Sequence, residues 1–204
     1  ESINNAINNG ADLVILDDGL QDESILSNLN IIVFNGYQGI GNGKIIPSGP
    51  MRESLSKAIN KSNLALIIDK DKNNLDKLIG DTIPIINSNL IIEDEHINNF
   101  KNKNVLAFCG IGYPDKFYKS LEEIGCNVLY TKSFPDHYVY SKKDIKKLLK
   151  KSLELDALLI TTEKDHIKIM EDYKNRIYYF PIRIELNNYK ILDDLLLSII
   201  KNRS

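Results

Sequence analysis

The chain has 204 residues, of which 43% are hydrophobic and 26% are charged, so one large or two smaller soluble cores can form. Its formal net charge of −2 argues against nucleic acid as a partner. No apolar run is long enough for a membrane span, and no secretory signal is visible. The two cysteines, Cys109 and Cys126, match no metal-ligand spacing and favour a reduced, cytosolic setting.

Short apolar runs, many of them rich in β-branched residues, alternate with helical patterns along the chain. They predict strands at residues 12–16, 30–34, 64–68, 105–109, 127–131, 157–161 and 177–180. Most of these runs lack polar alternation, which is typical of parallel strands covered on both faces.

Helical patterns with recognisable ends occur at residues 114–124, 142–154 and 191–201. The first begins at Pro114 and is followed by Gly125. The second follows Ser141, a favourable N-cap with Asp144 three positions later. The alternation of strands and helices predicts an α/β fold with mainly parallel sheets.

A polar segment at residues 87–104 separates two such series. We expect a linker there and two α/β domains, at residues 1–98 and 99–204. The chain begins Glu1-Ser2-Ile3, without an initiator methionine and within a helical pattern, which indicates a piece of a longer protein.

Two adjacent acids follow the first predicted strand, in the stretch LVILDDGLQD. Ligands of open α/β sheets collect beyond the carboxyl ends of strands, and an apolar strand ending in Asp is a common Mg²⁺ anchor in phosphate-transferring folds. Asp17 and Asp18 repel each other unless a cation offsets their charges. We interpret them as candidate Mg²⁺ ligands, with capping of a following helix as the alternative.

The stretch GIGNGKIIPSGPMRE, at residues 39–53, is rich in glycine and proline but is not a P-loop. Its Gly-Lys pair is followed by Ile45 instead of Ser or Thr, and no glycine stands five positions before that pair. The stretch predicts a long shaped loop that presents Arg52 and Glu53. Arg suits phosphate and Glu suits Mg²⁺, with a plain surface ion pair as the alternative.

Two polar stretches follow strands in the second half of the chain. FPDHYVYS places Asp136 and His137 between a strand end and a helix cap, where a histidine can act as a base or relay a proton. In TTEKD, residues 161–165, either Lys164 reaches an anion or the segment caps and braces a helix. GIGYP, residues 110–114, favours a tight turn whose amides can face an anion.

The helix predicted at residues 142–154 carries a basic face. We interpret this face as solvated, with an anionic membrane surface as the alternative. Its lysines are Lys142, Lys143, Lys146, Lys147, Lys150 and Lys151.

Five stretches resemble, in order and in register, the signatures of one known family. DDGLQD resembles DDGFQH, GNGKIIPSGPMRE resembles GNG…PxGPLRE, AFCGIGYPDKF resembles AFxGIGxPxxF, FPDHYVY resembles FxDHxxY, and TTEKDHIKI resembles TTEKDAVKL. Together they resemble the tetraacyldisaccharide 4'-kinases, the lipid A 4'-kinases. The resemblance covers essentially the whole chain, but only the later two thirds of the family's usual length.

The resemblance implies a P-loop kinase of two Rossmann-like α/β/α lobes joined by a hinge, with an incomplete first lobe here. It implies a peripheral protein on the cytoplasmic face of the bacterial inner membrane. The implied reaction moves the γ-phosphoryl of ATP to the 4'-hydroxyl of the tetraacylated disaccharide 1-phosphate and gives lipid IVA. ATP, Mg²⁺ and the lipid A disaccharide precursor are thus the expected cofactors and partners, without nucleic acid.

Motif matching also implies roles for individual residues. The residues expected to hold Mg²⁺ are Asp17, Asp18, Gln21 and Glu53. The residues expected to bind the nucleotide are Asp17, Gly19 and Arg52. The residues expected in catalysis are Asp18, Arg52 and His137, the last as the histidine that assists the catalytic aspartate.

Some features depart from the family pattern. Leu20 replaces Phe and Asp22 replaces His in the first signature. The P-loop, the catalytic aspartate and the membrane-associating N-terminal helix are expected upstream of Glu1, so we expect this piece alone to be inactive. The alternatives are another P-loop phosphotransferase or NTPase, and a non-catalytic α/β binding module.

Overall fold

A computed structural model describes residues 2–92 and 94–201, without the side chains of residues 94–96. The strands within these ranges are β1 Ile31–Asn35, β2 Leu64–Ile68, β3 Ile85–Ile91, β4 Asn104–Cys109, β5 Asn127–Ser133, β6 Leu158–Thr162, β7 Tyr178–Phe180 and β8 Arg183–Leu186. The helices are α1 Ser2–Asn8, α2 Leu55–Lys61, α3 Leu75–Ile79, α4 Asp94–Phe100, α5 Pro114–Glu123, α6 Lys142–Glu154, α7 Glu163–Ile167, α8 Glu171–Lys174 and α9 Tyr189–Lys201. Strands and helices alternate along most of the chain, which confirms the α/β class.

The chain divides into two compact units. These are Glu1–Asn89 with Ile184–Ser204, and Leu90–Arg183. The division differs from the predicted domains chiefly at the end of the chain, because β8 lies beside β3 in the first sheet. There the backbone amide of Asn187 donates to the carbonyl oxygen of Asn87 at 2.9 Å. Residues 184–201 therefore belong with the first unit.

The first unit is built on a four-stranded sheet in the order β1-β2-β3-β8. β1 pairs with β2, and β2 with β3, in parallel. The runs predicted as strands at residues 30–34 and 64–68 are confirmed as β1 and β2. The buried cluster beside this sheet consists of Phe34, Ile59, Ala65, Ile67, Leu75 and Ile79.

The strand predicted at residues 12–16 is not formed. No strand in the described parts of the chain pairs with this segment, and two of its side chains, Leu13 and Ile15, are 72% and 83% exposed. A strand requires a hydrogen-bonded neighbour, which an apolar composition does not supply. The acids that follow, Asp17 and Asp18, lie in a turn, with Asp18 in the left-handed backbone region.

The second unit holds a four-stranded parallel sheet in the order β5-β4-β6-β7. Alternate residues of its inner strand β4 enter two separate buried clusters, because successive side chains of a strand point to opposite faces. Val105, Ala107 and Cys109 belong to one cluster. Leu106 and Phe108 belong to the other. The apolar run predicted at residues 105–109 is thus a strand covered on both faces.

The polar segment at residues 87–104 was predicted as a linker, and the boundary between the two units does lie within it, after Asn89, but the segment is not irregular. The segment contains much of β3 and the whole of α4. In β3, Ile86 and Ser88 are buried while Asn87 and Asn89 are exposed. Burial of Ser88 is tolerated because its hydroxyl donates to the carbonyl oxygen of Ile67 at 3.1 Å. Polar residues at buried and exposed positions alike concealed the strand.

The N-cap predicted before α6 is confirmed. Ser141 Oγ accepts from the amide of Asp144 at 3.2 Å, and the Asp144 carboxylate accepts from the amide of Ser141 at 3.0 Å, which completes a capping box. Among the described helices, none is both long and apolar enough to cross a membrane.

Both cysteines are free and buried in the second unit. Burial raises the pKa of the Cys109 thiol above its ordinary value and that of Cys126 to about 11. The two thiols therefore stay protonated at neutral pH.

Candidate functional site

Two segments of the first unit that carry predicted site residues lie in contact. They are residues 17–21, called the acidic turn, and residues 39–53, called the GPMRE loop. The guanidinium of Arg52 pairs with the carboxylate of Asp18 at 2.5 Å. The side-chain amide of Gln21 donates to the carboxylate of Glu53 at 3.3 Å. Two separate contacts thus join predicted metal-binding and phosphate-binding residues.

The GPMRE loop, which follows β1, is held in shape by its own hydrogen bonds. The side-chain amide of Asn42 donates to the carbonyl oxygen of Ser48 at 2.8 Å. A Cβ atom at Gly49 would come within 2.3 Å of the Lys44 carbonyl oxygen, so the close approach of the two chain segments requires glycine. This internal packing presents the last two residues of the loop at a defined place.

Glu53 also contacts two lysines of α2 that the sequence analysis did not select. Its side chain is 11% exposed, and its carboxylate lies 3.2 Å from Nζ of Lys61 and 3.8 Å from Nζ of Lys57. Glu53, Lys57 and Lys61 follow one another at intervals of four residues, and this spacing was the sequence signal that could have found the lysines.

Lys61 is shared between Glu53 and a second carboxylate. Glu23 lies 2.8 Å from its Nζ. The hydrogen bond with Glu23 is the main cause that raises the pKa of Lys61, and the same bond lowers the pKa of Glu23. The carboxylates near the acidic turn are therefore balanced by basic side chains of α2.

The donor atoms of this region suit a hard divalent cation. Asp18, Gln21 and Glu53 offer carboxylate and amide oxygens, the ligands that Mg²⁺ prefers, and Asp17 is an exposed acid next to Asp18 in the chain. Within the described side chains, no group of three or more His, Cys, Asp and Glu residues is arranged to hold a metal ion. The assignment of these residues as Mg²⁺ ligands therefore stays a prediction, and the chemistry of their side chains is compatible with it.

A cavity of about 280 Å³ lies beside the acidic turn. Its lining includes Gly19 and Lys61, with Leu16, Leu20 and Ile25 as apolar neighbours. The cavity leaves open space next to the glycine for which a nucleotide contact is predicted. That contact also stays a prediction.

In the second unit, residues 134–141 form the His137 loop, which follows β5. Its aromatic rings, those of Phe134, Tyr138 and Tyr140, pack on one another and on Phe108 with ring centroids 4.7 to 6.4 Å apart. Aromatic pairs at these separations stabilise a fixed arrangement. The imidazole of His137 is nevertheless 76% exposed.

His137 adopts a left-handed backbone conformation, with φ of 58°. Its amide donates to Oδ1 of Asp136 at 2.9 Å, and Nζ of Lys164 lies 3.7 Å from the same oxygen. Partial desolvation acts to raise the pKa of Asp136, but the His137 amide and the charge of Lys164 outweigh it, so this pKa lies below its usual value. Asp136 is therefore an ionised link between Lys164 and His137.

The structure thus brings four of the predicted site residues together in the first unit: Asp18, Gln21, Arg52 and Glu53. His137 belongs to the second unit, where its partners are Asp136 and, through it, Lys164.

Two mainly parallel sheets, each with a polar loop after a strand, define an α/β protein of the kind that binds ligands at the carboxyl edge of a sheet. Comparison with known protein families narrows this class. Residues 1–201 match the family described as Tetraacyldisaccharide-1-P 4'-kinase, and the chain belongs to this family.

Curated relatives carry the name tetraacyldisaccharide 4'-kinase. The Parvibaculum lavamentivorans protein is 39% identical over 168 residues, 80% of this chain and 48% of that protein. The Rhodospirillum centenum protein is 30% identical over a match that covers 95% of this chain and 58% of that protein. The Pelagibacter ubique protein is 34% identical over a match that covers 97% of this chain and 64% of that protein. The chain therefore spans about half to two thirds of the length of these relatives. No solved structure matches it.

Proposed function

We propose that this chain is part of an ATP-dependent kinase that phosphorylates the 4'-hydroxyl of a tetraacylated disaccharide 1-phosphate, the lipid A precursor, and so makes lipid IVA. Family membership and the names of the relatives support this activity. Within the chain, the best support is the pair of contacts that Asp18 and Gln21 of the acidic turn make with Arg52 and Glu53 of the GPMRE loop.

Phosphoryl transfer asks a protein mainly to position the reactants and to neutralise charge. Asp17, Asp18, Gln21 and Glu53 would hold Mg²⁺. A bound Mg²⁺ would supply positive charge that offsets the charge developing on the phosphates during transfer. Arg52 would bind the phosphates through its planar guanidinium.

Arg52 and Asp18 would separate when the nucleotide binds, because a phosphate competes with the carboxylate for the same guanidinium. Their side chains are 56% and 59% exposed. Exposed ion pairs contribute only about 0–1 kcal/mol, so this exchange of partners costs little. The carboxylate of Asp18 then becomes available to a cation.

His137 would assist removal of the proton from the 4'-hydroxyl, together with the aspartate that the family resemblance implies. An exposed imidazole is suited to this role because its ring nitrogens are open to a reacting hydroxyl group. Gly19 would let the nucleotide approach the backbone of the acidic turn.

The test is phosphoryl transfer by the product of the complete gene, with ATP, Mg²⁺ and a tetraacyldisaccharide 1-phosphate in detergent micelles. We expect a product phosphorylated at the 4'-hydroxyl. Asp18→Asn should lower kcat/KM by at least about 10²-fold, because the site neutralises charge in the transition state.

Asp22→Asn is the matched control, since Asp22 is an exposed acid nearby whose carboxylate accepts from the amide of Ser24 at 3.0 Å. No transfer by the unaltered enzyme, or equal losses for the two variants, would overturn the proposal. Transfer to a different acceptor would instead favour another phosphotransferase, and nucleotide binding without transfer a binding module.

Peripheral contact with the cytoplasmic face of the inner membrane is part of the proposal, and one face of α6 supports it. A groove on this face is lined by Lys142, Lys143, Lys146, Lys147 and Lys150. Leu153 lies on the same face by its helical spacing and is 73% exposed. Basic clusters of this kind are attracted to anionic lipid headgroups.

Sedimentation with vesicles tests the membrane contact. We expect this chain to bind phosphatidylglycerol-containing vesicles and not pure phosphatidylcholine vesicles. Reversal of two lysines of α6, Lys146→Glu with Lys150→Glu, should weaken binding by about tenfold or more, since each lysine near an anionic surface contributes about 1 kcal/mol. The matched control reverses two exposed lysines of the first unit, Lys70→Glu with Lys77→Glu. Equal weakening by both pairs would contradict a role for α6.

A further inference from the structure

Asp165 is a fully buried carboxylate at the start of α7, which directly follows β6. Its Oδ2 accepts from the amide of Gly110 at 2.7 Å and from the hydroxyl of Thr162 at 2.9 Å, while its Oδ1 lies 3.0 Å from Nζ of Lys168. A buried charge is tolerated when it is paired and hydrogen-bonded in this way. Asp165 therefore links α7 to the turn that begins at Gly110.

Gly110 in turn lies against the His137 loop. A Cβ atom at this position would lie 3.1 Å from the carbonyl oxygen of Pro135 and 3.1 Å from the hydroxyl of Tyr140, atoms on either side of His137 in the chain. Burial, together with the charge of Asp165, raises the pKa of Tyr140 above its ordinary range. The absence of a side chain at residue 110 lets the loop sit directly on the turn that Asp165 holds.

A second connection runs from α7 to the same loop through charge. Lys164, next to Asp165, lies 3.7 Å from Oδ1 of Asp136, and that oxygen accepts from the amide of His137. His137 needs such support because side chains other than glycine rarely adopt its left-handed backbone conformation. The ionised Asp136 carboxylate accepts from the amide, and Lys164 adds a weaker charge contact, because the side chains of this pair are 50% and 46% exposed.

We propose that Asp165 and Lys164 are positioning residues for His137, the first acting through Gly110 and the second through Asp136. The three segments GIGYP, FPDHYVYS and TTEKD are thus connected by contacts that fix the position of the imidazole. The significance of this for catalysis rests on the proposed function, since it requires that His137 serve the transfer. The positioning itself does not depend on that function.

The catalytic test is a double-mutant cycle in the complete gene product. Lys164→Met should lower kcat about tenfold and leave the KM for ATP unchanged, because displacement of a catalytic group affects the chemical step. In a His137→Ala background the same change should lower kcat no further, because Lys164 acts only through His137. Lys164→Arg keeps the charge, and its kcat should stay within about threefold of that of the unaltered enzyme.

The matched control is Lys174→Met, which removes another lysine of the second unit that pairs with a carboxylate, Glu171, at 2.8 Å. We expect no change in kcat. If Lys164→Met behaves like this control, or lowers kcat equally with and without His137, Lys164 is not a positioning residue.

Asp165 is tested through Gly110, because removal of a buried charge can prevent folding. Gly110→Ala leaves the Asp165 carboxylate in place and inserts a methyl group between the turn and the loop. We expect a loss of about tenfold in kcat with an unchanged KM for ATP. An unchanged kcat would show that contact with Gly110 does not position the loop, and the role of Asp165 would be refuted.

Amide hydrogen exchange of the 204-residue chain tests the positioning without any activity measurement. Lys164→Met should speed exchange of the His137 amide by about fivefold or more, because its acceptor is less firmly held, and Lys174→Met should not. Suppose that the His137 amide exchanges faster in Lys164→Met but the complete gene product has no kinase activity. The proposed function would then be overturned, while the positioning of His137 would be supported. Unchanged exchange in an active kinase would overturn the positioning and keep the function.

Discussion

The two units hold their candidate site residues by different physical means. In the first, Asp18 and Arg52 meet as side chains that are more than half exposed. In the second, the His137 loop rests on packed aromatic rings and, through Gly110, on the fully buried Asp165. Exposed ion pairs exchange partners easily, whereas buried and fully satisfied networks keep one geometry.

This difference suits the separate roles proposed for the two sets of residues. Residues that accept ATP and a cation must give up one partner for another, which a loose arrangement allows. A residue that handles a proton must stand at a set distance from the reacting oxygen, which a rigid anchor provides. We expect the difference to appear in activity, in hydrogen exchange, in metal dependence and in stability.

The largest expected effect comes from the rigid region. His137→Ala in the complete gene product should lower kcat by about 10²-fold or more, because proton-transfer groups contribute about 10²–10⁴-fold. Val139→Ala, an 81% exposed neighbour in the same loop, is the control and should leave kcat unchanged. A loss of less than about threefold for His137→Ala would remove this residue from the mechanism.

Hydrogen exchange measures the contrast between the units directly. The residues of β4 are buried from Val105 to Cys109, while Ile31 and Val33 of β1 are 37% and 54% exposed. We expect β4 amides to exchange at least about tenfold more slowly than β1 amides, because local opening of β1 exposes less apolar surface. Equal protection of the two strands would contradict the idea of a looser first unit.

Metal dependence tests the adaptable region. Glu53→Gln should raise the Mg²⁺ concentration for half-maximal activity by about tenfold, because the proposed ligand loses its negative charge. Glu23→Gln is a matched control, since Glu23 contacts the same lysines, Lys57 and Lys61, but lies outside the predicted ligand set. Identical Mg²⁺ titrations for Glu53→Gln and the unaltered enzyme would exclude Glu53 as a ligand.

The smallest expected effect concerns helix caps. Ser141→Ala should lower the free energy of unfolding by about 1 kcal/mol, because it breaks a capping box. Ser54→Ala, in the first unit, should cost less, since Ser54 accepts one long bond from the amide of Lys57 at 3.3 Å without a reciprocal partner. Urea unfolding of both variants checks this order, which equal losses would contradict.

The capping box before α6 also makes the stability of the chain depend on pH. Hydrogen bonds from Ser141 are the main cause that lowers the pKa of Asp144 below its ordinary value of 3.8. The stabilisation from this carboxylate is therefore complete above about pH 3.8 and is lost as the pH falls through the lower pKa of the folded state. The stability difference between the unaltered chain and Asp144→Asn should shrink below that pH, and a constant difference would show that the carboxylate is not responsible.

Prediction from sequence succeeded where local pattern and tertiary environment agree. The run at residues 105–109 is apolar on both faces and lies between two neighbouring strands, and the helix from Lys142 begins at a strong N-cap. The run at residues 12–16 is also mostly apolar, but no strand of the described chain lies beside it. Composition encodes burial, whereas pairing depends on neighbours distant in the chain.

The site was predictable in its residues but not in its electrostatics. The motifs selected Asp18, Arg52 and Glu53, which the fold brings into two contacting loops. The spacing from Glu53 could have indicated the contact of Lys61 with that carboxylate, but nothing in the local sequence indicates its contact with Glu23. The TTEKD segment was left open between anion binding and bracing, and the burial of Asp165 shows that bracing accounts for this residue.

The placement of the two buried cysteines gives the second unit a reporter of its own. Only a thiolate that reaches solvent reacts with an alkylating reagent, and Cys109 and Cys126 are both enclosed and protonated in the native state. Their alkylation rate therefore measures how often the unit that carries His137 opens. The first unit, which holds neither cysteine, gives no signal in this measurement. Local opening of the second unit can therefore be followed without an engineered label.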